Sequence, residues 1–221
     1  MIKLYGGRGE GPGTTPSFVA AGTGHNSTGD VLPEYPAVAD GMLFAAQIYT
    51  QGGTATPIAG WSAGGPSAFT DGVVTQYVYF RDERSSGSDS GPVTFPVSAG
   101  APNMGIIYAF RDVALEDFWE AEADPTYATD GNALGPTIPT LGNARLACAF
   151  VSSNNGVSGM AAFTGETGGD WTEAVAEHTS GIGPGVQLQT APMPTGGTIS
   201  GGTAAVNGTR AITIGFALVG T

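Results

Sequence analysis

Positively charged side chains are scarce in this chain. Its 221 residues include 7 Lys and Arg against 19 Asp and Glu, which gives a formal net charge of −12, and Lys3 is the only lysine. Proteins that bind nucleic acid neutralise phosphates with clustered Lys and Arg, and anionic membranes attract the same clusters. The composition therefore argues against nucleic acid and membranes as partners.

Cysteine, histidine and long apolar runs are also rare. The single cysteine, Cys148, excludes an intrachain disulfide, and its apolar surroundings in the sequence predict a buried thiol. His25 and His178 lack the spacing of a metal site, so no cofactor is predicted. No apolar run approaches the roughly 20 residues of a membrane helix, and the start of the chain does not match a signal peptide. We therefore expect synthesis in a cytoplasm.

Glycine and proline are abundant instead. The 37 Gly and 15 Pro make almost a quarter of the chain, and both residue types favour turns over helix interiors. Several segments between them alternate apolar and polar residues, as half-buried strands do. The predicted strands are 41–50, 73–81, 93–98, 105–112, 144–152, 160–164, 171–178, 185–190 and 211–219.

The first 30 residues differ from the rest. They are rich in glycine and show little periodicity, which predicts an extended N-terminal arm over 1–30 and a β-sandwich domain over 31–221. Two interpretations of the arm stay open. It is held by a neighbouring subunit, or it folds back on its own domain.

The segment 112–130 is acidic and contains the one predicted helix, over 113–123, which Pro125 would end. A solvated acidic face, a calcium site and a pair of glycosidase carboxylates are the three interpretations of its charges. The spacing does not match an EF-hand loop. The acidic residues are Asp112, Glu116, Asp117, Glu120, Glu122, Asp124 and Asp130.

The two halves of the chain resemble each other. The segment 41–47 corresponds to 144–150, Gly60-Trp61 to Asp170-Trp171, 75–82 to 172–178, 93–97 to 186–189, and 105–110 to 211–217. Two interleaved four-strand units in two sheets are typical of a jelly roll. The sequence thus predicts an all-β, two-sheet, jelly-roll-like sandwich of about eight strands.

The order of these motifs also resembles a known module. An apolar strand, Gly60-Trp61, an alternating strand, Val93-Thr94-Phe95 and then Gly105-Ile-Ile-Tyr-Ala-Phe-Arg-Asp112 precede a second apolar strand and a Trp. This order, over residues 31–220, resembles a module of bacteriophage structural proteins that occurs in minor tail, fibre and decoration components. The resemblance implies a virion protein with a jelly-roll-like sandwich and implies no catalytic residues.

One motif suggests an enzyme. Gly60-Trp-Ser-Ala-Gly64 fits the G-x-S-x-G elbow that presents a serine nucleophile in α/β hydrolases. That elbow needs a strand before it and a helix after it, and Gly65-Pro66 starts no helix. We therefore expect no catalytic activity.

Apolar side chains in unusual places mark candidate interfaces. The adjacent aromatics Phe118 and Trp119 stand in the acidic segment, and the arm begins with four apolar side chains that could anchor it on a neighbour. The predicted interface residues are Met1, Ile2, Leu4, Tyr5, Phe118 and Trp119.

These observations predict a capsid decoration or cement protein on the outside of a phage particle, which its arm would attach. The alternative is a tail or fibre adhesin that binds host glycans. The expected partners are other virion proteins, the major capsid protein or a tail component, and a homo-oligomer is expected, a trimer at a threefold lattice position.

Overall fold

Two six-stranded antiparallel sheets form the protein. The computed structural model describes residues 13–98, 102–122, 125–129, 131–140, 142–154, 162–178, 183–206 and 210–221. The first sheet contains β1 (Ser17–Ala21), β2 (His25–Ser27), β3 (Leu43–Gln51), β4 (Trp61–Thr70), β5 (Val74–Arg81) and β6 (Asn103–Arg111). The second contains β7 (Trp119–Glu122), β8 (Thr126–Ala128), β11 (Arg145–Ser153), β12 (Thr172–His178), β13 (Gly185–Met193) and β16 (Ala211–Val219).

The strand order is β1-β6-β3-β5-β4 in the first sheet and β7-β16-β11-β13-β12 in the second. Strand β2 also pairs with β6, and β8 with β16. Two small ladders lie outside these sheets, one formed by β9 (Asn132–Leu134) with β15 (Thr203–Ala205), the other by β10 (Ile138–Thr140) with β14 (Gly197–Ile199). The all-β sandwich with eight long strands is confirmed.

Alternation along the strands divides the apolar residues between three layers. On β6, Ile106 and Tyr108 face the core between the sheets, while Ile107 and Ala109 face outward. Loops cover both outer faces, so that Trp61 packs edge-to-face on Phe95 at 5.3 Å over the first sheet. Apolar residues on both faces explain why these strands read as nearly continuous hydrophobic runs.

The second sheet repeats the first strand by strand. Leu43 of β3 pairs with Phe110 of β6, and Leu146 of β11 pairs with Leu218 of β16. The neighbouring strands β5 and β13 then occupy the same place beside β3 and β11, and β4 and β12 follow at the edges. The same faces of the two units meet in the core, which is an isologous arrangement within one chain.

The short strands at the other edges also correspond. Phe18 of β1 pairs with Phe110, and Trp119 of β7 pairs with Leu218. A bulge interrupts the ladder directly after each of these two aromatics, at Val19 and Glu120. Residues 17–27 are therefore the counterpart of 119–128 and not an appendage.

Three sequence expectations need correction. Residues 17–27 of the predicted arm are strands of the first sheet, so the boundary at residue 30 falls inside that sheet. Each half of the chain forms its own sheet, so the units are not interleaved, and β5 corresponds to β13 rather than to 172–178. The predicted helix over 113–123 is absent: 113–118 is irregular and β7 follows.

The backbone of Asp117 is left-handed, with a φ of 48°, which interrupts any right-handed helix through this segment. The open edge of β16 offers β7 a ladder of hydrogen bonds instead. The described residues include no helix long and apolar enough to cross a membrane.

Candidate attachment surface

Three parts of the chain meet at one end of the sandwich. The N–H of Thr14 donates to the carbonyl of Thr221 at 2.7 Å, and the N–H of Thr221 donates to the carbonyl of Asp112 at 3.1 Å. Thr14 therefore lies beside Thr221, which in turn contacts the loop that follows β6. We call residues 13–14, 112–119 and 219–221 the attachment end.

Backbone pairing joins these parts closely. The N–H of Ala114 donates to Val219 at 2.9 Å, and the N–H of Val219 donates to Phe118 at 2.8 Å. A Cβ at Gly220 would lie 2.0 Å from the carbonyl oxygen of Thr14, far inside van der Waals contact. Glycine at position 220 therefore permits the close approach of the Thr14 backbone.

The loop at this end presents one apolar side chain to solvent. Leu115 is 79% exposed, about twice as much as any other large hydrophobic residue in the described chain. Around it Asp112, Glu116 and Asp117 are exposed as well. Single exposed apolar side chains are common on protein surfaces, and Leu115 becomes a candidate contact residue because Phe118 and Trp119 lie only half-buried in the same segment.

The side chain of Arg84 contacts this loop. One guanidinium nitrogen donates to the carbonyl of Ala114, and the guanidinium lies 6.0 Å from the ring centre of Phe118. Burial lowers the pKa of Arg84 from its usual range, but it leaves the side chain cationic at neutral pH. The Arg84 guanidinium therefore contacts the loop at two points, the carbonyl of Ala114 and the ring of Phe118.

The two aromatics predicted as interface residues lie at this end but face partly inward. Phe118 is half-buried and packs edge-to-face on Phe80 at 5.1 Å, at the margin of the central core. Trp119 is half-buried and pairs with Leu218. Their role in an interface stays a prediction, and the sequence did not single out Leu115.

The other four predicted interface residues are Met1, Ile2, Leu4 and Tyr5. They lie outside the described residues. The position of residue 13 shows only that the described chain begins at the attachment end.

The serine of the hydrolase-like motif lies within a strand. Ser62 is the second residue of β4 and donates to the Oδ1 atom of Asp82 at 2.5 Å. The chain continues as a strand after it and does not turn into a helix. Trp61 is buried, as expected of a core aromatic.

The remaining reactive candidates are dispersed in the described residues. The Nδ1 atom of His25 accepts the N–H of Leu32 at 3.1 Å. No three of the described His, Cys, Asp and Glu residues are grouped as metal ligands, and Asp124 and Asp130 lie outside the described residues. Cys148 is fully buried, as predicted, and burial raises the pKa of its thiol.

An ion pair at the opposite end of β16 joins the two sheets. Arg210 donates to the Oδ2 atom of Asp71 and, at 3.0 Å, to the hydroxyl of Tyr127. The side chain of Asp71 is 2% exposed, and its Oδ1 atom accepts the N–H groups of Val73 and Val74 at 2.8 Å. Burial raises the pKa of Asp71, but these hydrogen bonds outweigh it and hold the pKa below its usual value.

Comparison of the chain with models of protein families, with curated proteins and with solved structures finds no match.

Proposed function

We propose that this chain is a structural protein of a bacteriophage particle, an exterior capsid decoration protein that binds the shell through its attachment end. One observation carries the proposal. The described chain begins, at Gly13 and Thr14, at the end of the sandwich that also presents Leu115 to solvent. In this proposal the apolar side chains of Met1, Ile2, Leu4 and Tyr5 and the exposed Leu115 contact one partner together.

The expected strength of this contact is modest for a single copy. Burial of one large apolar side chain contributes about 1.5–3 kcal/mol, and part of that is lost in ordering the segment. Met1, Ile2, Leu4 and Tyr5 would supply several such contributions. Repetition over a symmetric shell raises the overall avidity, because linked sites bind far more tightly than single ones.

The remaining surface suits a passive component. Loops cover the outer faces of both sheets, so the exposed surface of the described chain consists mainly of loops, strand edges and ends. The net charge of −12 opposes non-specific association of a densely repeated protein. The partner in this proposal is the major capsid protein, and the assembled location is the virion.

A sedimentation assay tests the proposal. Phage particles that lack this protein are mixed with purified wild-type chain or with a variant that lacks residues 1–12, and bound protein is measured after the particles are pelleted. We expect the wild type in the pellet and the variant in the supernatant. Because β1 begins at Ser17, the deletion should leave the urea midpoint unchanged.

A pair of leucine variants tests the loop. Leu115→Ser should weaken binding, whereas Leu134→Ser, at a leucine that is 40% exposed on β9, should bind like the wild type. Equal binding of the deletion variant and the wild type would contradict the proposal.

The copy number in purified virions also bears on the proposal. A number comparable with that of the shell protein supports decoration, and a far lower number would favour the tail or fibre adhesin.

A further inference from the structure

The sandwich has four sheet edges in the described chain. Strands β1 and β4 end the first sheet, and β7 and β12 end the second. A free edge presents unpaired backbone N–H and C=O groups, which makes it a template for another strand. Proteins that remain monomeric obstruct such edges with charges, proline or breaks in the ladder.

Three of these edges carry charged residues or proline. Strand β4 contains Pro66, which has no N–H, and its ladder to β5 breaks between Ala63 and Ala68. Strand β12 contains Glu173 and Glu177. Strand β7 contains Glu120 and Glu122. These edges resist pairing, above all with an identical strand, since like charges directly opposite each other are destabilising.

All four edge strands, β1 included, have a break in their ladder, so the difference lies in the residue types: β1 alone of the four lacks both charged residues and proline. Its five residues, Ser17-Phe-Val-Ala-Ala21, include no charge and no proline, and the sequence has no ionisable side chain from Gly11 to Gly24. The bulge in β1 leaves Val19 40% exposed, one of four exposed large hydrophobic residues in the described chain. The bulge residue of the corresponding strand β7 is Glu120. The two equivalent edges therefore differ in the charge that prevents pairing.

We infer that β1 is a dimerisation strand, and that it pairs antiparallel with β1 of a second copy. The first sheets of the two copies then form one continuous sheet across a twofold axis. The charge distribution favours a second copy as the occupant, because two β1 strands can pair without bringing carboxylates together in a chain with a net charge of −12. This inference does not depend on the proposed function.

The test transfers the obstacle from the second unit to the first. Val19→Glu places at the β1 bulge the residue that β7 has there, and Val73→Glu makes the same change at a valine of equal exposure, 41%, in the turn before β5. Sedimentation equilibrium of the full chain should give twice 22.1 kDa for the wild type and for Val73→Glu. The Val19→Glu variant should give 22.1 kDa with an unchanged urea midpoint.

Other outcomes would overturn the inference. A wild-type monomer at all concentrations, a trimer, or a Val19→Glu variant that still dimerises would each exclude β1 pairing. If Val19→Glu fails to fold, hydrogen exchange of the wild type decides instead. The amides of residues 17–21 should gain protection as the concentration rises, and protection that is independent of concentration would exclude their pairing between copies.

Discussion

A loop packs against the outer face of the second sheet so closely that a single added methyl group should lower the stability of the protein. Gly215 lies in β16, and a Cβ built on it would be 2.5 Å from Cβ and 2.6 Å from Cγ of Pro136. The covering loop cannot simply move away. The N–H of Gly135 donates to Gly202 at 2.9 Å, and the carbonyl of Pro136 accepts the N–H of Gly201 at 3.1 Å.

Two opposing contributions set the expected effect of Gly215→Ala. Overpacking of a well-packed site costs about 1–3 kcal/mol. Replacement of a glycine in a permitted conformation stabilises by about 0.4–1 kcal/mol, because the unfolded chain loses freedom. We therefore expect the free energy of unfolding to fall by about 1–2 kcal/mol. Urea unfolding, followed by tryptophan fluorescence, measures this change.

Gly29→Ala is the matched control. No atom lies within 4 Å of a Cβ at Gly29, so the substitution there causes no overpacking. Only the stabilisation that comes from the reduced freedom of the unfolded chain remains. In a Pro136→Gly background the cost of Gly215→Ala should shrink, because the Cβ and Cγ atoms that the new methyl group would meet are both gone. If Gly215→Ala is as stable as Gly29→Ala, the loop does not lie against the sheet as described, and the argument that both outer faces are closed fails.

Two further predictions concern buried groups. The pKa of Asp71 is lower in the folded than in the unfolded protein, so its stabilisation is complete above the unfolded pKa of about 3.9 and is lost as the pH falls through the folded pKa. Urea midpoints between about pH 6 and about pH 2.5 should therefore fall less in Asp71→Asn than in the wild type, and equal slopes would contradict this. The Cys148 thiol should react with a disulfide reagent only after unfolding, and rapid labelling of the native protein would show that the core is open.

Many of the strands can be predicted from the local pattern of apolar residues in the sequence. Continuous apolar strands such as 43–46 and 146–151 are predicted correctly, since both of their faces are buried against side chains. Strand β4, with the sequence Trp-Ser-Ala-Gly-Gly-Pro-Ser-Ala-Phe-Thr, escapes prediction because an edge strand buries little and tolerates glycine and proline. The segment 93–98 contributes two single bridges, at Phe95 and Val97, instead of a ladder.

Helix propensity misleads at 113–123 for a related reason. Val113-Ala-Leu-Glu-Asp117 consists mostly of residues that a helix accepts, but no local signal reveals that β16 has an unpaired side nearby. Two tertiary contacts decide the outcome there. The N–H of Ala114 donates to Val219, and Arg84 donates to the carbonyl of Ala114. Both partners are at least 30 positions away in sequence and cannot be inferred from the segment itself.

Differences in sequence between the two units conceal the strands that lie within residues 1–30. Phe18 and Trp119 occupy the same place beside β6 and β16, yet the segments around them share little sequence beyond an aromatic and an alanine two positions later. Glycine-rich sequence before β1 and acidic sequence before β7 conceal the correspondence. Only the registers reveal it, because each aromatic stands opposite an equivalent core residue, Phe110 or Leu218.

The same comparison shows where the two units have diverged in a way that matters for association. A duplicated fold supplies two equivalent edges, and both would pair with other chains unless each is obstructed. The sequence of β7 includes Glu120 and Glu122, whereas that of β1 has Val19 and two alanines. Because the fold holds the backbone of both edges in the same pattern, the difference in side chains alone should decide which edge pairs. If β1 pairs as inferred, Val19→Glu should abolish the dimer and leave the free energy of unfolding of the monomer unchanged.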